Sequence, residues 1–119
     1  MATLEELQMR VQRLDDIKKI EHLQKIYGYY QDYGEWEQIV DLFTDNDPSV
    51  EEADSGVYRG KESVRRYYVD LCGDGPGAPR RPGLMDIVFQ LQGVVSVEPG
   101  ASTARGRWYG MGMQVKPTA

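Results

Sequence analysis

The chain has 119 residues, 40% of them hydrophobic and 28% charged, and its formal net charge is −5. A chain of this length forms one domain, and a small domain gains stability from a partner subunit. We therefore expect a single domain, residues 1–119, that associates with itself. The acidic balance argues against a nucleic-acid partner, because no basic cluster is larger than pairs such as Arg65-Arg66 and Arg80-Arg81.

The composition also disfavours metal, disulfide and membrane functions. Cys72 is the single cysteine and His22 the single histidine, so an internal disulfide is excluded and too few soft ligands remain for a zinc site. We expect no metal and no other cofactor. No apolar run approaches the roughly 20 residues of a membrane span, and the N-terminus is charged and helical rather than a signal peptide. A soluble, cytoplasmic protein with no membrane partner is predicted.

A helical segment opens the chain. Thr3 and Glu6 have the spacing of a capping box, which predicts a helix start. Apolar residues then recur at helical spacing, first as heptads and then as a continuing stripe: Leu4, Leu7, Val11, Leu14, Ile17, Ile20, Leu23, Ile26, Tyr27 and Tyr30. This predicts one long helix, or two that meet at Asp15-Asp16. The first part, about residues 3–14, is interpreted as a helical extension that packs on the chain's own sheet or on a second subunit.

The end of this helix carries the most chemistry. The segment Tyr27–Thr44 reads YGYYQDYGEWEQIVDLFT. Leu23, Ile26, Tyr27 and Tyr30 share one helix face, so two phenols point into the same apolar space with Asp32 near its edge. That arrangement suits a small-molecule cavity with an acid or base, and the alternative is that these aromatic residues are simply core. Gly34 is predicted to end the helix.

A shorter helical region follows. Residues 36–43 are predicted as a short helix, and the Asp45-Asn46-Asp47-Pro48 cluster ends it. We interpret Glu51, Glu52 and Asp54 as part of an exposed loop and 57–59 as a strand. Residues 61–71 form the next predicted helix, with an apolar face made of Val64, Tyr67, Tyr68 and Leu71.

The last third of the chain changes character. Residues 73–83 are dense in glycine and proline and predict a mobile surface loop that covers a pocket mouth. Residues 84–98 and 102–116 then predict two strands of an antiparallel hairpin, turning at Pro99-Gly100. One side of the second strand is nearly bare apart from Trp108, and Gly93 in the first strand predicts a bulge.

In their order and spacing, these segments carry a resemblance. The segments are LDDIKKIEHLQKIYGYYQDYGEW, VDLFTD, GVYRGKESVRRYY, FQLQGVVSV and TARGRWYG. Together they resemble the SnoaL-like, scytalone-dehydratase-like branch of the nuclear transport factor 2-like (NTF2-like) superfamily. The resemblance implies an α+β fold, a cone-shaped barrel in which N-terminal helices pack on a curved antiparallel sheet. It covers nearly the whole chain. Such cones host dehydratases, isomerases, cyclases and hydrolases as well as binding modules, so the fold alone does not give the function.

The resemblance also implies site residues. Related dehydratases use a tyrosine, an aspartate five residues later, and a histidine on the first strand of the sheet. Tyr27 and Asp32 match the first two, whereas Val88 stands where relatives carry the histidine. His22 lies in the first helix and is interpreted as a surface or structural residue. Asp86 is a candidate replacement for the histidine, although an edge residue facing solvent is the preferred interpretation.

A mechanism follows for an eliminating enzyme. Asp32 is the candidate base, and Tyr27 and Tyr30 are candidate hydrogen-bond donors to a carbonyl or leaving hydroxyl. The alternative for Asp32 is a helix-end residue bonded to the local turn. The predicted substrate-binding residues are Tyr30, Trp36, Val88, Gln90 and Arg107. For Arg107, as for Arg105, a solvated or ion-paired strand face is the preferred interpretation.

Two functions remain open. The first is a cofactor-free lyase, a dehydratase or related eliminating enzyme, acting on a small hydrophobic, aromatic or polyketide-like compound. The second is a non-catalytic ligand-binding or assembly module of the same fold, which Val88 at the histidine position favours. Relatives continue with further strands after one like residues 104–113, so the sheet edge needs cover. We expect a homodimer or homotrimer, a second chain that completes the sheet, or a longer protein of which this chain is a fragment.

Overall fold

A computed structural model describes residues 1–117. It contains helices α1 (Leu4–Tyr33), α2 (Trp36–Asp41) and α3 (Lys61–Arg65), and α3 continues as a π-helix, Arg66–Cys72. The strands are β1 (Ser49–Glu52), β2 (Gly56–Arg59), β3 (Met85–Val97) and β4 (Ala104–Val115). β1 pairs with β2 and β3 with β4 in two separate two-stranded sheets. The predicted α+β class is confirmed, and within residues 1–117 the strands do not close a barrel.

Helix α1 is one continuous helix, so there is no break at Asp15-Asp16. The predicted capping box is present: the Glu6 amide donates to Thr3 Oγ1, and the Thr3 amide donates to Glu6 Oε2, each at 3.1 Å. The other end is also as predicted. Gly34 has a φ of 70°, a conformation that glycine adopts without steric cost, and the Glu35 amide donates to the Tyr30 carbonyl at 2.8 Å. Across the described residues 1–117, no helix has both the length and the apolar character to cross a membrane.

Strand β1 corrects the interpretation of the acidic run as a loop. Glu51 and Glu52 lie in β1, antiparallel to β2, with Glu51 opposite Val57 and Glu52 opposite Gly56. β1 is only four residues long, and two of its residues are glutamates, so it lacks the apolar alternation that identifies a strand in sequence. Asp54 lies in the exposed turn between them, as predicted.

The π-helix corrects the predicted apolar face of residues 61–71. Val64, Tyr68 and Val69 are buried, whereas Leu71 is 57% exposed. A π-helix has more residues per turn than an α-helix, because its hydrogen bonds join residues five apart. The inward face therefore shifts at residue 66, and Val69 turns inward instead of Leu71.

A bulge is predicted at Gly93 in strand β3. The backbone is irregular at the neighbouring Gln92, which has a φ of 52°. Before Gln92 the better-buried residues include Val88 and Gln90, and after it they are Val95 and Val97. Residues 91–94 are all exposed and the alternation resumes at Val95, which is the effect of one extra residue at a β-bulge. Gln90 and Val97 consequently share a face although their positions differ by seven, an odd number. In β4, the Trp108 ring lies against Gly93 and Gly106 and fills the bare side.

The contacts of the chain divide it into two compact units. The first comprises residues 1–28 and 89–111, in which Gly28 and Val97 are buried. The second comprises residues 29–88 and the C-terminal residues from 112 onward. Its core contains Ile39, Val40, Val64, Tyr68 and Val69. An ion pair between Arg65 and Glu37 joins α3 to α2 within this second unit.

Candidate functional site

The second unit brings Asp32 and Val88 together. Asp32 lies in the last turn of α1, and its Oδ1 accepts a hydrogen bond from the Val88 backbone amide at 3.1 Å. Both residues are half-buried. This bond fixes the carboxylate on the first half of β3 through Oδ1.

Trp36, which begins α2, lies in an aromatic cluster. Its ring stacks with that of Tyr68, with the centroids 6.5 Å apart and an angle of 23° between the planes. Tyr68 also contacts Phe43 at 5.7 Å and Tyr67 edge-on at 4.8 Å. Tyr67 in turn contacts Tyr58 at 5.0 Å. The second unit therefore holds a connected apolar surface with phenol groups along it.

A close backbone approach fixes the Trp36 indole. A Cβ atom at Gly73 would lie 2.4 Å from Trp36 Cδ1 and 2.7 Å from the Val69 carbonyl oxygen. Only glycine leaves room for the ring at this position. The π-helix ends at Cys72, so Gly73 allows the chain to leave the helix directly against the indole.

A small cavity of about 70 Å³ lies beside Trp36. Its walls come from the end of α1, the end of the π-helix, the glycine- and proline-rich loop, and the start of β3: Gln31, Gly34, Trp36, Cys72, Gly73, Asp74, Ala78, Pro79, Arg80, Arg81, Leu84 and Asp86. Arg81 Nε lies 3.6 Å from Asp74 Oδ2 and joins the two ends of this loop. The loop thus borders a pocket, whereas its mobility stays a prediction.

Asp86 and Cys72 are two of the titratable groups that border this cavity. Asp86 is half-buried, and its Oδ2 accepts a hydrogen bond from Gln114 at 3.4 Å. Cys72 is an exposed residue, but neighbouring protein atoms displace part of the water around its thiol and raise its pKa above the usual value. A hydrogen bond with Tyr67 opposes this rise, and the negative charges of Asp86 and Glu52 add to it. Cys72 is consequently a protonated, weakly nucleophilic thiol at neutral pH.

Gln90 and Tyr27 belong to the first unit. The Gln90 Oε1 accepts a hydrogen bond from Gln24 Nε2 at 2.7 Å. Gly28 is buried under the same side chain, and a Cβ atom at this position would lie only 3.1 Å from Gln90 Cγ. Gln90 therefore holds α1 close to β3, a role that sequence reasoning did not assign to it. Tyr27 is half-buried on α1.

The remaining predicted residues vary in exposure. Tyr30 is half-buried, and its carbonyl accepts the bond that closes α1. Arg105 and Arg107 are exposed on β4 and form no ion pair within residues 1–117. His22 is exposed on α1, as expected for a surface histidine. No three His, Cys, Asp or Glu side chains in the described part of the chain are grouped to hold a metal ion.

A family model matches residues 12–119, and its description is a SnoaL-like domain. The chain belongs to the SnoaL-like domain family. This confirms the resemblance and places the chain in the NTF2-like superfamily. No curated protein matches this SnoaL-like domain. The family is associated with polyketide cyclase and dehydratase-like enzymes and with ligand-binding domains, and the match by itself does not choose between them.

Sequence reasoning missed the aromatic cluster of this SnoaL-like domain. The adjacent pair Tyr67-Tyr68 was visible, and it was assigned to an ordinary amphipathic helix. Tyr68 is buried, as the predicted apolar face implies, and it meets Trp36 and Phe43 there, while Tyr67 is half-buried next to Tyr58. Those contacts join residues that are distant in sequence, so only a tertiary structure reveals them.

Proposed function

We propose that this SnoaL-like domain is a cofactor-free lyase, a dehydratase or related eliminating enzyme, with Asp32 as the base. The observation that supports it best is the hydrogen bond from the Val88 amide to Asp32 Oδ1. A base must be held within hydrogen-bond reach of the proton that it removes. Val88 provides this positioning through its backbone, so the valine side chain at the family's histidine position does not prevent Asp32 from acting.

The proposed reaction is the elimination of water from a β-hydroxy carbonyl compound. Asp32 Oδ2 removes a proton from the carbon next to the carbonyl, and the electron pair of that C–H bond forms the new carbon–carbon double bond. The bond between the β-carbon and its hydroxyl breaks as Tyr27 donates a proton, which releases water. After the product leaves, the proton on Asp32 returns through solvent to the Tyr27 phenolate. Tyr30 donates a hydrogen bond to the carbonyl oxygen, where negative charge develops.

The proposed substrate is small and hydrophobic, aromatic or polyketide-like. The aromatic cluster around Trp36 and Tyr68 supports this class, because flat apolar molecules gain from contact with aromatic rings. Trp36, Val88 and Gln90 are proposed to contact the substrate. The exposed Arg107 is proposed to meet an anionic or phenolic group that extends to the surface of β4.

The test uses a panel of β-hydroxy-β-aryl ketones, whose dehydration gives conjugated enones that absorb in the near ultraviolet. Asp32→Asn keeps an oxygen that accepts from the Val88 amide but removes the base, so kcat on a turned-over ketone should fall at least about 100-fold. Tyr27→Phe should also lower kcat. Asp70→Asn, at an exposed carboxylate of the π-helix, is the matched control and should leave kcat unchanged. Full activity in Asp32→Asn would show that the base assignment is wrong.

The second candidate function is a non-catalytic ligand-binding or assembly module. Val88 favours it, because a valine side chain carries no proton at the position where related enzymes have a histidine. Isothermal titration with the same ketones separates the two functions. Binding that Trp36→Ala weakens, with no enone formed over days, supports a binding module.

A further inference from the structure

The first turns of α1 carry an apolar stripe made of Leu4, Leu7, Val11 and Leu14. These side chains are 72%, 47%, 66% and 66% exposed, respectively. Large aliphatic side chains usually cluster in the interior, and a continuous exposed row of them marks an interaction surface. The capping box at Thr3 and Glu6 holds the helix in place directly before this stripe. The stripe is therefore presented on a well-formed helix.

The stripe lies on the side of α1 away from the hairpin turn of the first unit. Within the first unit, the hairpin turn 97–101 and α1 border a groove of about 460 Å³, and the helix contributes Glu6, Met9, Arg10, Gln12, Arg13 and Asp16. At about 100° per residue, most of these residues lie on the far side of the helix from Leu7 and Leu14. The hairpin turn thus leaves the stripe uncovered within the described residues 1–117.

The family match adds a second observation. It begins at residue 12, so Leu4, Leu7 and Val11 precede the residues that the chain shares with other SnoaL-like domains. Three of the four stripe residues therefore lie outside the matched region.

The spacing and the flanking charges identify an occupant. Leu4 and Val11 take heptad position a, and Leu7 and Leu14 take position d, which is the pattern of a two-stranded coiled coil. Arg10 then falls at position g and Asp15 at position e of the next heptad. In a parallel pair, a g residue faces the following e residue of the other helix, so Arg10 faces Asp15 of the partner subunit. In an antiparallel pair g positions face each other, which would bring two Arg10 side chains together.

We propose that the stripe is a homodimerisation surface, on which α1 of a second copy packs in parallel and in register. Two heptads form a short interface, so the dimer is expected to be concentration-dependent. Asp15 already pairs with Lys19 of its own helix at 3.0 Å. In the dimer Asp15 accepts from Lys19 and also from Arg10 of the partner subunit. This proposal is independent of the proposed lyase activity.

Sedimentation equilibrium of the full chain tests the surface. The wild type should show a monomer–dimer equilibrium, and Leu7→Ser with Leu14→Ser should raise the dissociation constant at least about tenfold. Both side chains are exposed, so the variant should keep the wild-type circular dichroism. Leu23→Ser, at another exposed position of α1 beyond the two heptads, is the matched control. A wild type that stays monomeric, or a dimer that the double variant does not weaken, would overturn the proposal.

Three further variants test the identity of the partner and the direction of its helix. Arg10→Asp should weaken the dimer, and adding Asp15→Arg should restore it. In a Cys72→Ser background, Leu7→Cys should give a disulfide-linked dimer on mild oxidation, because equal d positions meet in a parallel pair. The parallel arrangement is wrong if the dimer depends on the leucines, but Asp15→Arg does not restore it in Arg10→Asp and Leu7→Cys does not cross-link it. Leucine-dependent binding only to another protein would show that the occupant is not a second copy.

Discussion

Asp32 and Val88 lie 56 residues apart in sequence and are joined by a hydrogen bond of 3.1 Å between the aspartate Oδ1 and the valine amide. The bond fastens the last turn of α1 to the first half of β3 within the second unit. It involves a backbone group, so the identity of the side chain at position 88 does not affect it. The carboxylate is therefore fixed at position 88 whatever the side chain there, including the valine that stands where the family resemblance implies a histidine.

The Asp32 bond should contribute to stability independently of any activity. Asp32→Ala leaves the half-buried Val88 amide without its acceptor, which costs roughly 1–3 kcal/mol in the free energy of unfolding. Asp32→Asn keeps an acceptor oxygen and should cost less than half as much. Urea denaturation followed by circular dichroism measures both. Equal losses in the two variants would mean that the negative charge, rather than the hydrogen bond, holds this contact.

Gly73 should tolerate no larger residue. A Cβ at this position would lie 2.4 Å from Trp36 Cδ1 and 2.7 Å from a backbone oxygen, so Gly73→Ala must move the ring or the chain, at a cost of roughly 1–3 kcal/mol. The indole should shift, which changes the tryptophan emission. In a Trp36→Phe background, where Trp108 alone emits, Gly73→Ala should leave the emission unchanged. Gly93→Ala should alter it there, because its Cβ would lie 2.0 Å from Trp108 Nε1.

The Cys72 thiol should react slowly near neutral pH. Its pKa is raised above the ordinary value of a cysteine thiol, chiefly by loss of water around the thiol, so only a small fraction is thiolate at pH 8. Alkylation by iodoacetamide should be slower than that of a free cysteine peptide and should accelerate up to a pH above 9. Asp86→Asn removes a charge that raises the pKa, so it should increase the rate at pH 8. Asp70→Asn serves as the control. An alkylation rate equal to that of the free cysteine peptide across the pH range would show that the pKa of the Cys72 thiol is not raised.

The capping box should hold the first turn of α1. Thr3→Ala removes the acceptor of the Glu6 amide, and loss of such a cap costs about 1 kcal/mol of helix stability. Hydrogen exchange at the amides of residues 5–8 should become faster, while exchange at residues 20–28 should not change. Because the apolar stripe follows this cap directly, Thr3→Ala should also weaken self-association. A change in exchange along the whole helix would indicate that the cap is not a local feature.

Much of the fold could be predicted from the sequence. The capping box, the end of α1 at Gly34 and the final hairpin were all correct, because each depends on residues close together in the chain. The acidic strand β1 was missed, since its formation requires the partner β2 rather than a pattern of its own. The apolar face near Leu71 was wrong for a related reason: a π-helix changes which side chains turn inward, and tertiary packing decides that change.

The sequence by itself determined the family, the position of Asp32 at a helix end, and the heptad spacing of the stripe on α1, since composition and local periodicity are properties of the chain. Only the tertiary structure decided that Asp32 meets the Val88 amide, that Gln90 holds Gly28 and Gln24, and that the stripe faces away from its own hairpin turn. These facts depend on which distant backbone and side-chain groups can pair or pack at the same time. A residue's neighbours in sequence do not contain that information.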